Sequence, residues 1–145
     1  DPHTLKCFQA RMALLKHSGA EAYVRAQALF LYPPAYISKN IKQIQRSENI
    51  GLEDFPPQHN VLARLNALMT FAISDVHVQA LLNTALYYIA NQDDFLVPYQ
   101  KSIDLKSRLG HGVLVLMPTG AHASTITETK IVNQHILQNL IGVIA

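Results

Sequence analysis

Features that mark secreted, membrane or nucleic-acid-binding proteins are missing from this 145-residue sequence. Cys7 is the single cysteine, which excludes an internal disulfide and fits a reducing compartment. No apolar segment approaches the roughly 18 to 20 residues of a membrane helix, and Asp1-Pro2-His3 lacks a basic-then-apolar signal pattern. Like charges never run longer than a pair, so no electrostatic footprint for nucleic acid or a membrane surface is visible. We therefore expect a cytoplasmic protein with neither nucleic acid nor membrane as a partner.

Two chemical signatures are absent as well. The six glycines never bracket a serine as Gly-x-Ser-x-Gly, the turn that presents a serine nucleophile ahead of an acid and a histidine. No His-x-x-x-His or Cys-x-x-Cys spacing is present, although His111 and His122 with Asp93 and Asp94 could on paper be combined into a metal site. We predict no metal, no cofactor and no nucleophile within this chain.

An apolar fraction of 49% against 15% charged residues places the chain with soluble globular proteins. Its length is enough for one ordinary domain with a hydrophobic core. The chain has no initiating Met and opens directly in a helical pattern, from which we expect that it was cut from a longer protein.

The first half of the chain shows apolar residues at helical spacing, interrupted by helix-breaking pairs. The breaks fall at Ser18-Gly19, Pro33-Pro34 and Pro56-Pro57. No strand pattern separates the four predicted helices, so we predict a helical layer over residues 1–73. The apolar positions are Leu5, Phe8, Met12, Leu15, Tyr23, Ala26, Phe30, Ile37, Ile41, Ile44, Leu62, Leu65, Met69 and Ala72.

The second half, residues 74–145, contains two predicted strands at 86–90 and 113–117. Each is a short, unbroken apolar run, which is typical of parallel strands covered on both faces. Together with the helical pattern between them they predict one βαβ unit. The fold class is α/β, mostly helical by content, and two such strands need further neighbours that this chain does not encode.

Helices are predicted at 98–109 and 127–144 in this half. Pro98 opens the first helix, and Thr125 with Glu128 matches the spacing of a capping box before the second. Segment 74–84 fits either a short helix or a loop. The apolar face of the last helix is predicted to carry Val132, Ile136, Leu140 and Val143.

Asp94 and His122 each follow a predicted strand. Parallel strands joined by a crossover helix end at the same edge of their sheet, where ligands of open α/β sheets bind. The two residues, 28 positions apart, are therefore predicted to lie close together. A carboxylate can orient an imidazole and stabilise its charged form, and an exposed imidazole exchanges protons near neutral pH. We predict Asp94 as the acid and His122 as the base of a catalytic pair.

Both residues also have a structural interpretation. Asp93-Asp94 could serve only to cap the helix that opens near Pro98. A lone histidine in a glycine-containing loop is often structural as well. The occurrence of both on consecutive strands of one crossover favours the catalytic interpretation.

Other residues with chemical potential carry less weight. Cys7 lies on or beside the apolar face of the first helix, which favours packing over nucleophilic chemistry. His59 and His135 are expected at surface or packing positions. The tyrosines Tyr23, Tyr32, Tyr36, Tyr87 and Tyr88 are expected to pack, and the first three could line a pocket beneath the helices.

Several segments resemble a known family. Asp94-Phe95-Leu96-Val97-Pro98 and Gly120-Ala121-His122 resemble the Asp-x-x-x-Pro and Gly-x-His segments that end the α/β-hydrolase fold. The region before them is similar to the helical cap of the RutD family of aminoacrylate or carbamate hydrolases in the Rut uracil-degradation pathway. Asn83-Thr84 departs from the pattern, because this fold commonly has a proline there. The cap segments are His3-Thr4, Cys7-Phe8-Gln9 with Arg11, Ala26-Gln27 with Leu29-Phe30-Leu31-Tyr32-Pro33, and Leu62 with Arg64-Leu65-Asn66-Ala67-Leu68.

The resemblance implies that this chain is the C-terminal portion of a protein nearly twice as long. The other half would hold most of the sheet, the nucleophile elbow and the oxyanion donors. By matching position Asp94 is the acid, selected over Asp93 by the four-residue step to Pro98, and His122 is the base. The nucleophile is left open, since a water activated by His122 could serve.

In function, the resemblance implies that the intact protein hydrolyses a C–N bond in a small three-carbon or carbamate-like substrate during pyrimidine breakdown. The isolated chain is expected to be inactive, because losing the oxyanion donors alone costs about 10²-fold or more. The alternative is a non-catalytic interaction module, completed by another chain or by a homodimer through exposed strands or the cap.

Overall fold

The computed structural model describes the backbone of residues 1–144 and the side chains of residues 1–139. The described part is mostly helical and contains a two-stranded parallel sheet. It divides into two compact units, Asp1–Ala72 and Ile73–Ala145. The side chains of Leu140 and Val143, predicted on the apolar face of the last helix, lie outside the described residues, as does Ala145.

Three helices form the first unit: α1 spans Pro2–Leu31, α2 spans Pro34–Glu53 and α3 spans Gln58–Thr70. Helix α1 ends just before Pro33-Pro34, and α2 ends just before Pro56-Pro57. Proline cannot continue a helix interior, because it lacks the N–H group and clashes with the preceding turn.

Glycine breaks α1 without ending it. The sequence predicts a helix end at Ser18-Gly19, and Gly19 does adopt the non-helical angles φ 83° and ψ −177°. The chain resumes helical geometry directly afterwards, so the predicted stop is a kink within α1.

The core of the first unit lies where α1 packs against α2 and α3. Leu15 is fully buried there, and Cys7 is also buried, with its Sγ 3.6 Å from His3 Nε2. Removal of apolar surface from water is the main stabilising contribution of such a core. Its buried apolar residues are Cys7, Phe8, Leu15, Tyr23, Ala28, Ile44, Val61 and Leu65.

Arg11 of α1 lies among aromatic rings. Its guanidinium carbon is 5.3 Å from the Phe8 ring centroid, 5.7 Å from that of Tyr23 and 5.9 Å from that of Phe30. It donates hydrogen bonds to Tyr23 Oη and Gln27 Oε1. These contacts tie the two ends of α1 together across the kink.

The second unit begins with α4, Asp75–Leu81, in the segment that the sequence left undecided. Ser74 and His77 form a capping box at its start, in which each side chain meets the other residue's backbone N–H. Since this satisfies two free N–H groups, even a seven-residue helix has a defined N-terminus.

The βαβ unit consists of β1 at Tyr87–Asn91, α5 at Gln100–Leu109 and β2 at Val113–Met117. The strands pair in parallel, with Tyr87 opposite Val113 and Asn91 opposite Met117. Relative to the predicted bounds, β1 starts one residue later and α5 two residues later. Because the first residues of the two strands pair with each other and so do the last, both strands end at the same level of the sheet.

The strands are less covered than predicted. The sequence indicates strands covered on both faces, but Tyr87 is 42% exposed, Val113 49% and Leu116 39%. Each strand has a single neighbour within the described residues, so both sheet edges lack a further strand. The prediction of full coverage is therefore wrong for this chain.

The chain ends in α6, Ser124–Thr127, and α7, Thr129–Ile144. The predicted capping box of Thr125 and Glu128 is wrong, because Thr125 lies inside α6 and Ala123 precedes that helix as its N-cap. The Glu128 side chain instead accepts a hydrogen bond from Thr119 Oγ1.

Across residues 1–144, no single helix is both long and apolar enough to cross a membrane. Only α3 and α4 taken together, across the break between them, reach that length and hydropathy.

Candidate active site at the strand ends

Asp94 and His122 meet beyond the ends of β1 and β2. His122 Nδ1 lies 2.9 Å from Asp94 Oδ2. An ionised carboxylate can only accept a hydrogen bond, so this contact assigns the ring proton to Nδ1 and leaves the Nε2 lone pair available. The proximity predicted from the strand ends is therefore present in the structure.

The two side chains differ in exposure. The Asp94 side chain is 11% exposed, whereas that of His122 is 39% exposed. Within the described part of the chain, His122 Nε2 has no hydrogen-bond partner. A shielded carboxylate beside an accessible imidazole is the arrangement in which a histidine can exchange protons with a bound molecule.

Asp94 is itself held in place by its own turn. Its Oδ1 accepts hydrogen bonds from the backbone N–H groups of Leu96 at 2.8 Å and Val97 at 3.0 Å. The structural interpretation, in which Asp93-Asp94 caps the following helix, is wrong, because the N-cap of α5 is Tyr99 and no side chain caps that helix. One carboxylate oxygen of Asp94 is held by the turn after β1, and the other faces His122.

Asp93 faces a different group from Asp94. Its carboxylate accepts hydrogen bonds from the backbone N–H groups of Gly120 at 3.2 Å and Ala121 at 2.8 Å. Asp93 therefore joins the loop after β1 to the loop after β2, beside the Asp94–His122 pair but without a hydrogen bond to the His122 ring.

Asn91, the last residue of β1, is only 5% exposed. Its Nδ2 donates to the Ala121 carbonyl at 2.7 Å and to Ser124 Oγ at 3.0 Å. Sequence reasoning missed Asn91, Ser124 and the role of Asp93. A polar residue at the end of an apolar run was a signal for Asn91, but no spacing connects it to residues 30 or more positions away.

An open cavity of about 360 Å³ lies against the pair. Asp94 and His122 both line it, so a molecule inside would reach the imidazole. Its volume lies in the range of small-ligand sites. Apolar side chains form much of the remaining wall: Ile89, Ala90, Val97, Val132 and Ile136.

His111, a further candidate in the second unit, contacts backbone carbonyls and not the Asp94–His122 pair. His111 bridges two connections, with Nδ1 2.9 Å from the Leu109 carbonyl and Nε2 3.0 Å from the Thr84 carbonyl. Among the residues that the structure describes, no group of three or more His, Cys, Asp or Glu side chains could hold a metal ion. His59 lies in α3 and His135 in α7.

Comparison with known proteins identifies relatives over nearly the whole chain, although no family model matches it. Relatives named "Putative carbamate hydrolase RutD" include that of Acinetobacter baylyi, which is 49% identical over 140 residues. That match covers 97% of this chain and 53% of the relative. The relative from Agrobacterium fabrum is 41% identical over 141 residues, covering 97% of this chain and 53% of the relative. The relative from Stutzerimonas stutzeri is 39% identical over 140 residues, with 97% and 52% covered.

The chain spans about half the length of these curated relatives. The similarity covers both the helical first unit and the unit that holds Asp94 and His122, and the printed name of these relatives is that of a hydrolase.

Proposed function

We propose that this chain is the C-terminal portion of a RutD-type hydrolase with the α/β-hydrolase fold. In this proposal residues 1–73 form the helical cap and residues 74–145 the end of the catalytic core. The similarity over 97% of this chain and only about half of each relative supports a chain that is one portion of such a protein. The two compact units, Asp1–Ala72 and Ile73–Ala145, support the boundary between cap and core. The parallel βαβ unit, with polar residues at its strand ends, is compatible with the edge of a larger α/β sheet.

The reaction that we propose is hydrolysis of a C–N bond in a small carbamate-like or aminoacrylate-like compound, in the uracil-degradation pathway that the resemblance implies. His122 Nε2 accepts a proton from the attacking oxygen, either water or a hydroxyl of the other half. As the oxygen bonds to carbon, the C–N bond breaks and the leaving nitrogen receives the proton from His122. Where a hydroxyl attacks, a water deprotonated by His122 then attacks the same carbon, the bond to the hydroxyl oxygen breaks, and that oxygen regains its proton from His122. Asp94 holds the imidazole in the required tautomer and stabilises its cationic form.

The observation that carries this proposal is the 2.9 Å contact between His122 Nδ1 and Asp94 Oδ2, at a cavity that His122 lines. It leaves the second ring nitrogen available to a bound molecule. An Asp-His contact with a buried imidazole would fit a structural role equally well, whereas the exposed ring favours catalysis.

The 145-residue chain by itself should be inactive, because neither a nucleophile elbow nor oxyanion donors are identified in it. The whole protein's activity is therefore tested in a full-length context.

A chimera provides that context. In the Acinetobacter baylyi relative, the 140 matched residues are replaced by this chain, and ammonia release from carbamate is measured above the spontaneous rate. We expect the chimera to retain activity and its His122→Ala variant to lose at least about 10³-fold in kcat. The rate of ammonia release by the unmodified relative is the reference value for the assay.

His59→Ala is the matched control, since His59 is an exposed histidine on α3. It should leave the rate of the chimera unchanged. Equal rates for the chimera and its His122→Ala variant would exclude His122 as the base and overturn the proposal.

A second candidate function is supported by the exposed sheet. Val113 and Leu116 of β2 are exposed apolar residues on a strand whose outer edge is unpaired in the described chain. Open strand edges pair readily with other chains. The chain could therefore act as an interaction module that a second copy completes.

A further inference from the structure

The segment directly before His122 is held from two sides. Asp93 accepts hydrogen bonds from the N–H groups of Gly120 and Ala121, at 3.2 and 2.8 Å. Asn91 Nδ2 donates to the Ala121 carbonyl at 2.7 Å. The peptide groups on either side of Ala121 are thus fixed, one through its donor atom and the other through its acceptor atom.

This segment has an unusual backbone. Gly120 has φ 131° and Ala121 has φ 51°, and Ala121 is the non-glycine residue with positive φ among those described. A left-handed conformation is unfavourable for alanine, so it persists only where the surroundings determine it. The hydrogen bond that Asn91 donates and the two that Asp93 accepts hold this conformation, and they set the direction in which the chain enters His122.

Asn91 carries a buried polar atom that lowers the stability of the fold, so a stabilising role does not explain this residue. Its Oδ1 is buried without a hydrogen-bond partner among the described residues, whereas its Nδ2 makes two hydrogen bonds. Leaving a buried amide oxygen unpaired is unfavourable, and an apolar residue at this strand end would avoid it. What Asn91 contributes instead is the position of the groups that its Nδ2 binds, among them the Ala121 carbonyl.

We propose that Asn91 and Asp93 are positioning residues for His122: together they fix the Gly120–Ala121 backbone so that the imidazole presents Nδ1 to Asp94. The inference rests on the proposed function for its catalytic meaning. Asp94 orients the ring directly, whereas Asn91 and Asp93 act through the main chain that carries it.

The tautomer of His122 tests this inference without any activity measurement. Long-range ¹H–¹⁵N NMR of the 145-residue chain resolves which ring nitrogen carries the proton, and His122→Gln assigns the signal. In the unmodified chain we expect a single Nδ1–H tautomer. In Asp93→Asn and Asn91→Leu we expect a mixture that includes Nε2–H, with unchanged helical circular dichroism.

Asp104→Asn is the matched control, because Asp104 is an exposed carboxylate of α5 that pairs only with Lys101 among the described residues. It should keep the Nδ1–H tautomer. If Asn91→Leu fails to fold, Asp93→Asn decides, since Asp93 is exposed and its replacement keeps the side-chain shape. In the active chimera, Asp93→Asn should lower kcat by about 10- to 100-fold with little change in KM.

The outcomes separate the two claims. A fixed Nδ1–H tautomer in both Asp93→Asn and Asn91→Leu overturns the positioning role but leaves the Asp94–His122 pair intact. A mixed tautomer in the unmodified chain overturns the pair, and with it both the positioning role and the observation behind the proposed function.

Discussion

Asp94 and His122 are joined by one hydrogen bond of 2.9 Å although 28 positions separate them in the sequence. The second Asp94 oxygen is bound by the backbone of its own turn, so the carboxylate cannot rotate away without losing those hydrogen bonds. The pair is therefore held from the Asp94 side by local structure and from the His122 side by the loop after β2.

Gly120 should tolerate no side chain. A Cβ at this position would lie 2.7 Å from Ser124 Cβ and 3.0 Å from Asn91 Oδ1, at a φ of 131°. We expect Gly120→Ala to lower the free energy of unfolding by about 2 to 4 kcal/mol, through overpacking and backbone strain. Urea unfolding followed by circular dichroism measures it.

Gly110→Ala is the control for that substitution. Gly110 also has a positive φ, of 76°, but a Cβ added there would meet nothing within 4 Å. It should lose only about 1 kcal/mol, from strain alone. Equal losses at the two glycines would show that the contacts around Gly120 do not constrain it.

Arg11 should matter for stability more than Arg25, although both lie on α1. Arg11→Ala removes the guanidinium from three aromatic rings and from Gln27, which should lower the free energy of unfolding of the first unit by about 1 to 3 kcal/mol. Arg25→Ala removes an exposed guanidinium that pairs with Glu21 and Glu48, and it should change stability little. Thermal unfolding of both variants compares them, and a larger effect at Arg25 would contradict the prediction.

The exposed edge of β2, unpaired in the described chain, should promote self-association. Light scattering over a wide concentration range should show a dimer whose population falls in Val113→Lys and Leu116→Lys, because charge on an edge strand disfavours pairing. Val76→Lys is the control, since Val76 is 77% exposed and belongs to helix α4 and not to a strand. A monomer at every concentration would count against the interaction module.

The Tyr32 phenol should ionise at a higher pH than a tyrosine exposed to water. Partial burial raises the pKa of the Tyr32 phenol above its usual value of 10, and the neighbouring Tyr36 adds to this. A pKa raised in the folded state contributes stability that is complete below the unfolded pKa and is lost as pH rises through the folded one. Stability should therefore fall with pH above about 10, less steeply in Tyr32→Phe.

Denaturant unfolding at several alkaline pH values measures that slope. Tyr36→Phe keeps the burial of Tyr32 and removes only the charge of its neighbour, so most of the effect should persist. An unchanged slope in Tyr32→Phe would show that this phenol titrates alike in the folded and unfolded chain.

The meeting of Asp94 and His122 could be predicted from the sequence because it follows from general rules. Two short apolar runs flanking a helical segment predict a parallel pair, and parallel strands end at one edge. That argument needs only strand ends, which apolar runs locate to within a residue here. It says nothing about side-chain exposure, and the same runs wrongly indicated full coverage of Val113 and Leu116.

The surroundings of His122 could not be predicted, because they depend on backbone geometry. The bonds of Asn91 and Asp93 to Ala121 require the positive φ values of Gly120 and Ala121, which no spacing encodes. The prediction of a capping box at Thr125 was wrong for a related reason. The residues before α7 form the short helix α6, and Thr127 Oγ1 in that helix donates a hydrogen bond to the Gly120 carbonyl at 2.7 Å.

The most direct test of the central claim is a double-substitution cycle in the active chimera, with kcat for C–N hydrolysis measured for Asp94→Asn, His122→Ala and the combined variant. If Asp94 acts only through His122, the combined variant should be no slower than His122→Ala alone, since residues that act as a unit lose activity non-additively. Multiplied losses in the combined variant would contradict the account, because they would mean that the two side chains contribute to the reaction independently.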